Sequence, residues 1–210
     1  MSSKITIKWL GHSCFKISKD GFSFITDPYE PESVPGLKAI DETANAVYCS
    51  HEHFDHNYRD AVKITDSDNN PFTVKEIHSY HDDCKGEKRG NNIIHVFESD
   101  GIKIVHYGDI GCGLSPEETE LLSNADAVMI PTGGFYTIDS KAAAGIVAVT
   151  NAKIVIPMHY KTADFGFDVL EPLENYLDIC GRWVNMMSDT VEIGNETRHY
   201  TAVLNPALKK

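Results

Sequence analysis

Residues 50–57, SHEHFDHN, crowd His51, His53, Asp55 and His56 into one short stretch. Neutral imidazole is a strong ligand for zinc and similar first-row metals, and a carboxylate adds a harder oxygen donor. In extended chain His51, His53 and Asp55 share one side, so a turn is needed to carry His56 to a second centre. One such cluster can therefore feed two ions a few ångströms apart. A solvated polar loop accounts for a single histidine, but poorly for this constellation. The helical HExxH site of zinc proteases is a different pattern and is absent, because Asp55 stands where its second histidine would be.

A two-ion site needs further donors, and three downstream segments offer them. HSYHDD carries His78 and His81, HYGDIG carries Asp109, and IPMHYKT carries His159. Each lies where an apparent strand enters a turn, the placement expected of a site at one rim of a sheet sandwich. If VKEIHSYH is a strand, His78 and His81 face opposite ways and only one reaches the site. His78, His95 and His199 read as core or surface histidines, and His106 as either core or a support for Asp109.

The elements that must position these residues come as two patterns. Strand-like runs fill the first half: KITIKWL, CFKIS, FSFIT, NAVYCS (read as buried), FTVKEIHSY, NIIHVFES and IKIVHYGD. Asp20-Gly21 and Asp100-Gly101 mark hairpins between neighbouring runs. Later, SPEETELLSN opens with Ser115, Pro116 and Glu118 in a capping-box arrangement. DSKAAAGIVAVTN and DVLEPLENYLDICG also read as helices, with DAVMIPT and KIVIPMHY as apolar strands between them and a last β segment around WVNMMSDTVEIG. No repeat or linker divides the chain, so one α/β domain over residues 1–210 with two sheets is expected.

At this point the sequence resembles the metallo-β-lactamase superfamily, in its small metal-dependent hydrolase branch related to the ascorbate-phosphate lactonase. The segments that carry the resemblance are WLGHSCFKI, ITDPY, SHEHFDHN, SYHDD, GNNIIHVFESDGIKIVHYGDIG, PTGGFYTID and IVIPMHYKT, in that order. It implies a four-layer αβ/βα sandwich of two mixed β-sheets flanked by helices. It also implies His51, His53 and His81 on one ion, Asp55, His56 and His159 on the other, and Asp109 bridging. Asp27 in ITDPY would support the ligands by hydrogen bonds, or be a turn aspartate before Pro28. The expected cofactors are two divalent ions, zinc in first place, with manganese, iron or nickel as alternatives.

The expected chemistry is hydrolysis of an ester, lactone or phosphodiester by metal-activated water, with Asp55 or Asp109 orienting the nucleophile and relaying protons. Tyr136, Thr137 and Asp139 could line the mouth of the site, although Asp139 equally reads as a helix N-cap. Lys161 could hold an anionic group of a small-molecule substrate, and His12 could act as a donor or acid near the ions. The formal charge of −12 and the lack of a basic, aromatic-interleaved patch disfavour the alternative of a small nuclease. A di-iron redox protein on the same fold would carry glutamate in place of His53, and a non-catalytic metal protein would not need so complete a ligand set. Five scattered cysteines without a CxxC pair, no apolar span and no leader pattern place the expectation in the cytoplasm, away from membranes. A homo-oligomer is an expectation from resemblance alone.

Overall fold

Alternation decides the first element. In β1 (Ile5–Gly11), Ile5, Ile7 and Trp9 are buried while Thr6 and Lys8 are half-exposed, the period of a strand with one covered face. The computed structural model describes residues 4–67, 69–194 and 198–210. β1 is followed by β2 (Cys14–Lys19), β3 (Phe22–Thr26), β4 (Glu42–Ala44), β5 (Ala46–Tyr48), β6 (Val62–Ile64), β7 (Thr73–Tyr80), β8 (Asn91–Ser99) and β9 (Ile102–His106). Then come α1 (Pro116–Leu122), β10 (Ala127–Pro131), α2 (Ser140–Thr150), β11 (Ile154–Met158), α3 (Leu173–Leu177), β12 (Trp183–Asn185), β13 (Thr190–Ile193) and β14 (Tyr200–Val203).

These strands form a five-stranded sheet, β13-β1-β2-β3-β5, and a seven-stranded sheet, β12-β14-β11-β10-β9-β8-β7, with β4 and β6 as a separate parallel pair. The two larger sheets share one apolar core, in which Ile7, Phe15 and Phe24 meet Phe97, Met129 and Ile156. A second apolar layer packs the helices on the seven-stranded sheet, with Leu122, Ala143, Ile146 and Tyr176 against Val105, Val128 and Val155. On the other side, Lys8 and Lys16 both pair with Glu42. The expected α/β sandwich of two mixed sheets is present, its helices gathered on the larger sheet.

Both Asp-Gly pairs close two-residue hairpins, with φ of 50° and 85° at Asp20 and Gly21 and 48° and 79° at Asp100 and Gly101. The capping box of α1 is formed, Glu118 N donating to Ser115 Oγ at 3.2 Å and Ser115 N to Glu118 Oε2 at 2.7 Å. Two elements differ from expectation. The helix anticipated across DVLEPLENYLDICG is only the short α3, because Pro172 keeps Glu171 extended. Glu171 instead donates its N–H to Gly133 O at 2.7 Å and accepts from Lys161 N at 3.1 Å. NAVYCS yields a half-buried β5, since it lies at a sheet edge. All five cysteines are free. No helix among the described residues is long and apolar enough to cross a membrane.

Strand direction sets where the chemistry goes. β2 is antiparallel to both β1 and β3, and β3 is parallel to β5, so β1, β3 and β5 run the same way. By the same reasoning β7, β9, β10 and β11 run together in the larger sheet. The loops leaving the C-terminal ends of these alternate strands meet at one rim. Truncating the shared core at Phe97, which is fully buried against Phe24 and Tyr48, should loosen both halves of that rim. Phe97→Ala is expected to cost about 3–5 kcal/mol, read from the denaturant unfolding curve.

Candidate metal centre

The loops leaving β1, β3 and β5 carry His12, Asp27 and the SHEHFDHN turn; those leaving β7, β9 and β11 carry His81, Asp109 and His159. Backbone N–H groups of His56 and Asn57 both donate to His53 O, at 2.9 and 3.0 Å, wrapping the turn that brings His56 round. His12, Asp27 and His159 have φ of 51°, 42° and 52°, a left-handed region unfavourable for residues with a β-carbon. Their surroundings hold them there: Trp9 Nε1 donates to His12 O at 3.0 Å, and Asp27 N to Tyr48 O at 3.0 Å. Gly133 lies so close that a β-carbon on it would be 2.0 Å from His159 O, so this approach requires glycine.

Asp27 is fully buried and accepts three hydrogen bonds: Ser50 N at 2.7 Å on Oδ1, and Ser50 Oγ at 2.6 Å and His56 Nδ1 at 2.9 Å on Oδ2. An ionised carboxylate only accepts, so His56 carries its proton on Nδ1 and Ser50 gives its own proton to Asp27. Ser50 Oγ, at 2.9 Å from His51 Nδ1, must then accept from that nitrogen. Both rings are thereby turned so that Nε2 offers a lone pair, and neither Nε2 has a hydrogen-bond partner among the described residues. Burial opposes ionisation of Asp27, but His106, His56 and His51 nearby outweigh it and hold the carboxyl well below the usual range.

Three ring nitrogens converge on Asp109. Its Oδ2 lies 3.1 Å from His159 Nε2, 3.2 Å from His56 Nε2 and 3.5 Å from His81 Nε2. Asn92 fixes the loop by accepting from Asp109 N at 2.9 Å while donating to Tyr107 O at 2.9 Å and Ser79 Oγ at 2.8 Å. Gly108 cannot be larger, because a β-carbon there would be 2.3 Å from Asn92 Oδ1 and 2.5 Å from Ser50 Cβ. His106 donates from Nε2 to Ser13 O at 2.9 Å and accepts from Gly108 N at 3.1 Å, tying the two sheets together behind the site. Burial works against the charge on Asp109, but His159 and His56 keep its carboxyl well below the ordinary range. Burial likewise pulls His56 down, yet Asp109 and Asp55 drive it well above the ordinary imidazole value. The arrangement calls for positive charge at that point.

Two clusters could meet that demand. One ligand atom each from His51, His53 and His81 lies within 4.8 Å of the others, and the same holds for His12, Asp55, His56 and His159. Buried nitrogens without hydrogen-bond partners among the described residues include His51 Nε2, His56 Nε2, both nitrogens of His12, and Nδ1 of His81 and His159. Burial, followed by His56, lowers His51 to about 3, which keeps it in the neutral form a metal requires. These residues fit divalent ions. A third grouping, Asp27, His51 and His56, is the hydrogen-bond network already described, with both carboxylate oxygens of Asp27 engaged.

Above the centre is a cleft of about 270 Å³. His53, Asp55, His81, Asp109 and His159 form its floor, Phe54, Tyr136 and Phe167 its aromatic wall, and Lys88 and Arg89 a cationic edge. Asp82, buried beside His81, organises that edge by accepting the backbone N–H groups of Cys84, Gly86, Lys88 and Arg89 at 2.8–2.9 Å. Arg89 also stacks 5.7 Å from the Tyr136 ring centroid and donates to Phe135 O at 3.0 Å.

Of the other residues singled out in the sequence, Tyr136 lines the cleft and His12 is buried behind it. Asp139 caps α2, accepting from Ala142 N at 2.7 Å, and Thr137 donates to Ile138 O at 3.1 Å. Lys161 donates to Asp168 O, away from the cleft lining. His78 is exposed, His95 stacks on Phe97, and His199 Nδ1 contacts Ala152 O. Ser50, Asn92, Asp82, Lys88 and Arg89 carry no role in the sequence reading. Ser50 in SHEHFDHN, Asp82 in SYHDD and Asn92 in GNNIIHVF lie inside the segments that carry the resemblance, whereas Lys88 and Arg89 had no positional signal.

A family model described as a beta-lactamase superfamily domain matches residues 6–159. A protein of Thermotoga maritima, described as a candidate Zn-dependent hydrolase of the metallo-β-lactamase superfamily, superposes with a TM-score of 0.76. It is 31% identical, with 95% of this chain and 98% of that one covered. A metallo hydrolase of Ignicoccus hospitalis shares the fold with a TM-score of 0.67 at 18% identity, over 92% of this chain and all of that one. A metal-dependent hydrolase of Hyperthermus butylicus is 26% identical over 82% of this chain and 90% of its own.

The supports are testable without a substrate. Ser50→Ala should lower metal affinity by roughly 10–100-fold with the far-UV circular dichroism unchanged, measured by competition with a chromogenic chelator. Asp82→Ala should strip hydrogen-exchange protection from the amides of Cys84, Gly86, Lys88 and Arg89 while β8 stays protected.

Proposed function

Because the chain belongs to the beta-lactamase superfamily and is a metal-dependent hydrolase, we propose that it cleaves a small anionic ester, lactone or phosphodiester with two divalent ions shared through Asp109. The observation that carries this reading is the single oxygen, Asp109 Oδ2, within 3.5 Å of imidazole nitrogens from both clusters. His51, His53 and His81 would hold one ion, and Asp55, His56 and His159 the other. A donor set of nitrogen and oxygen alone suits zinc first, then manganese, iron or nickel.

When bound, the ions would supply an acidified water and an electrophile for a substrate oxygen. The chain does the rest. Asp109, almost fully buried, is placed as the shared anion, while Asp55 keeps 13% of its side chain exposed toward the cleft. Burial opposes the charge on Asp55, but His56 and His12 hold it below the usual carboxylate range, so it stays ionised, as a ligand and as an acceptor that orients the attacking water. Asp27, through His56 Nδ1 and Ser50, keeps the imidazoles from turning as charge develops. The aromatic wall limits water, and Lys88 and Arg89 supply positive charge for an anionic group in a chain of net charge −12.

The test is metal analysis by mass spectrometry followed by assay of the loaded protein on phosphodiester, lactone and oligonucleotide substrates. Two ions per chain and turnover of a small anionic substrate are expected, with His51→Ala losing both metal and activity. Full activity and full occupancy in that variant would sink the assignment. Arg89→Ala should raise KM for an anionic substrate about ten-fold, leaving kcat and a neutral ester little affected.

A further inference from the structure

We propose that His12 is itself a metal ligand, an additional donor to the ion held by Asp55, His56 and His159; the proposal rests on the two-ion reading above. His12 sits in the turn between β1 and β2, 2% exposed, and neither ring nitrogen has a hydrogen-bond partner among the described residues. An imidazole buried with both nitrogens unpaired is costly, and φ of 51° adds backbone strain at the same residue. His106 is the internal comparison. It is equally buried, but both of its nitrogens are engaged, by Ser13 O and Gly108 N. His95, buried in the core away from the centre, leaves Nδ1 without a partner but keeps Nε2 3.6 Å from Glu76, so one open nitrogen is tolerated there, whereas His12 has both open.

What His12 faces supplies the reason. Its Nε2 lies 3.4 Å from Asp55 Oδ2 without forming a hydrogen bond, and its ring centroid is 4.2 Å from that of His159 and 5.3 Å from that of His56. One ligand atom each from His12, Asp55, His56 and His159 falls within 4.8 Å of the others. A cation among these four atoms would satisfy the unpaired imidazole and the carboxylate together. With Asp109 shared, that position draws on His12, Asp55, His56, His159 and Asp109, whereas the other draws on His51, His53, His81 and Asp109. With water added, the first set approaches six-coordination, which suits manganese, iron, cobalt or nickel. The second remains closer to the low coordination numbers that zinc favours. The two positions are therefore unequal in the metal they prefer.

The experiment is titration of the metal-free full-length protein with Co²⁺, followed by proton NMR of the hyperfine-shifted, exchangeable imidazole N–H resonances, one per ligated histidine. Wild type should bind two equivalents and show resonances from His12, His51, His53, His56, His81 and His159. His12→Asn, a residue that tolerates the left-handed backbone, should lose one resonance and bind the second equivalent at least ten-fold more weakly, with the first unchanged. Two equivalents bound by wild type with the His12 resonance missing would overturn the proposal and leave the two-ion reading standing. So would unchanged affinity in the variant. A single equivalent bound by wild type would overturn both. If His12→Asn does not fold, the wild-type resonance count decides.

Discussion

A buried carboxylate must be neutralised, hydrogen-bonded or paired, and Asp109 is only weakly served by the protein itself. Its Oδ1 is reached by Ser13 Oγ at 3.5 Å, and its Oδ2 faces three imidazole nitrogens. Asp27, equally buried, shows the contrast, with three short donors on its two oxygens. The charge of Asp109 is thus left for a cation, and the histidines around it are turned to help hold one. Much of the architecture at this rim follows from keeping that arrangement in place.

Neither sheet could build the centre alone. The smaller sheet delivers His12, Asp27 and the SHEHFDHN turn, and the larger delivers His81, Asp109 and His159. Their spacing is therefore set by the apolar core between the sheets and by ties such as His106 to Ser13 O. His12, Asp27 and His159, where the chain leaves β1, β3 and β11 and must turn a side chain inward, are among the residues held in the left-handed region. The cleft inherits its cationic edge from a loop organised by Asp82, one residue past His81.

Much of this was readable in the residues, for physical reasons. Period-two alternation and Asp-Gly turns mark strands and hairpins, and the Ser115–Glu118 capping box marks α1, because these signals are local. The dense stretch from His51 to His56 stands out because its residue types are improbable together. Supports that depend on tertiary approach were not readable. Nothing local distinguishes Asn92, which holds Asp109 from a neighbouring strand, or Arg89, which reaches the cleft through a loop folded on Asp82. Lys161 shows the converse: its residue type suited a substrate contact, but Asp168 O takes up its ammonium, while Asp139, readable either way, caps α2. His12 was visible as a turn histidine, while the burial of its ring without a well-formed hydrogen bond, beside Asp55 and His159, appears only once the sheets are packed.

The most direct test of the central claim is anomalous diffraction from crystals of metal-loaded protein, collected at the absorption edge of the bound metal. Two peaks about 3.5–4 Å apart, one on each side of Asp109 Oδ2, are predicted. A single peak, or peaks that do not share that oxygen, would contradict the account.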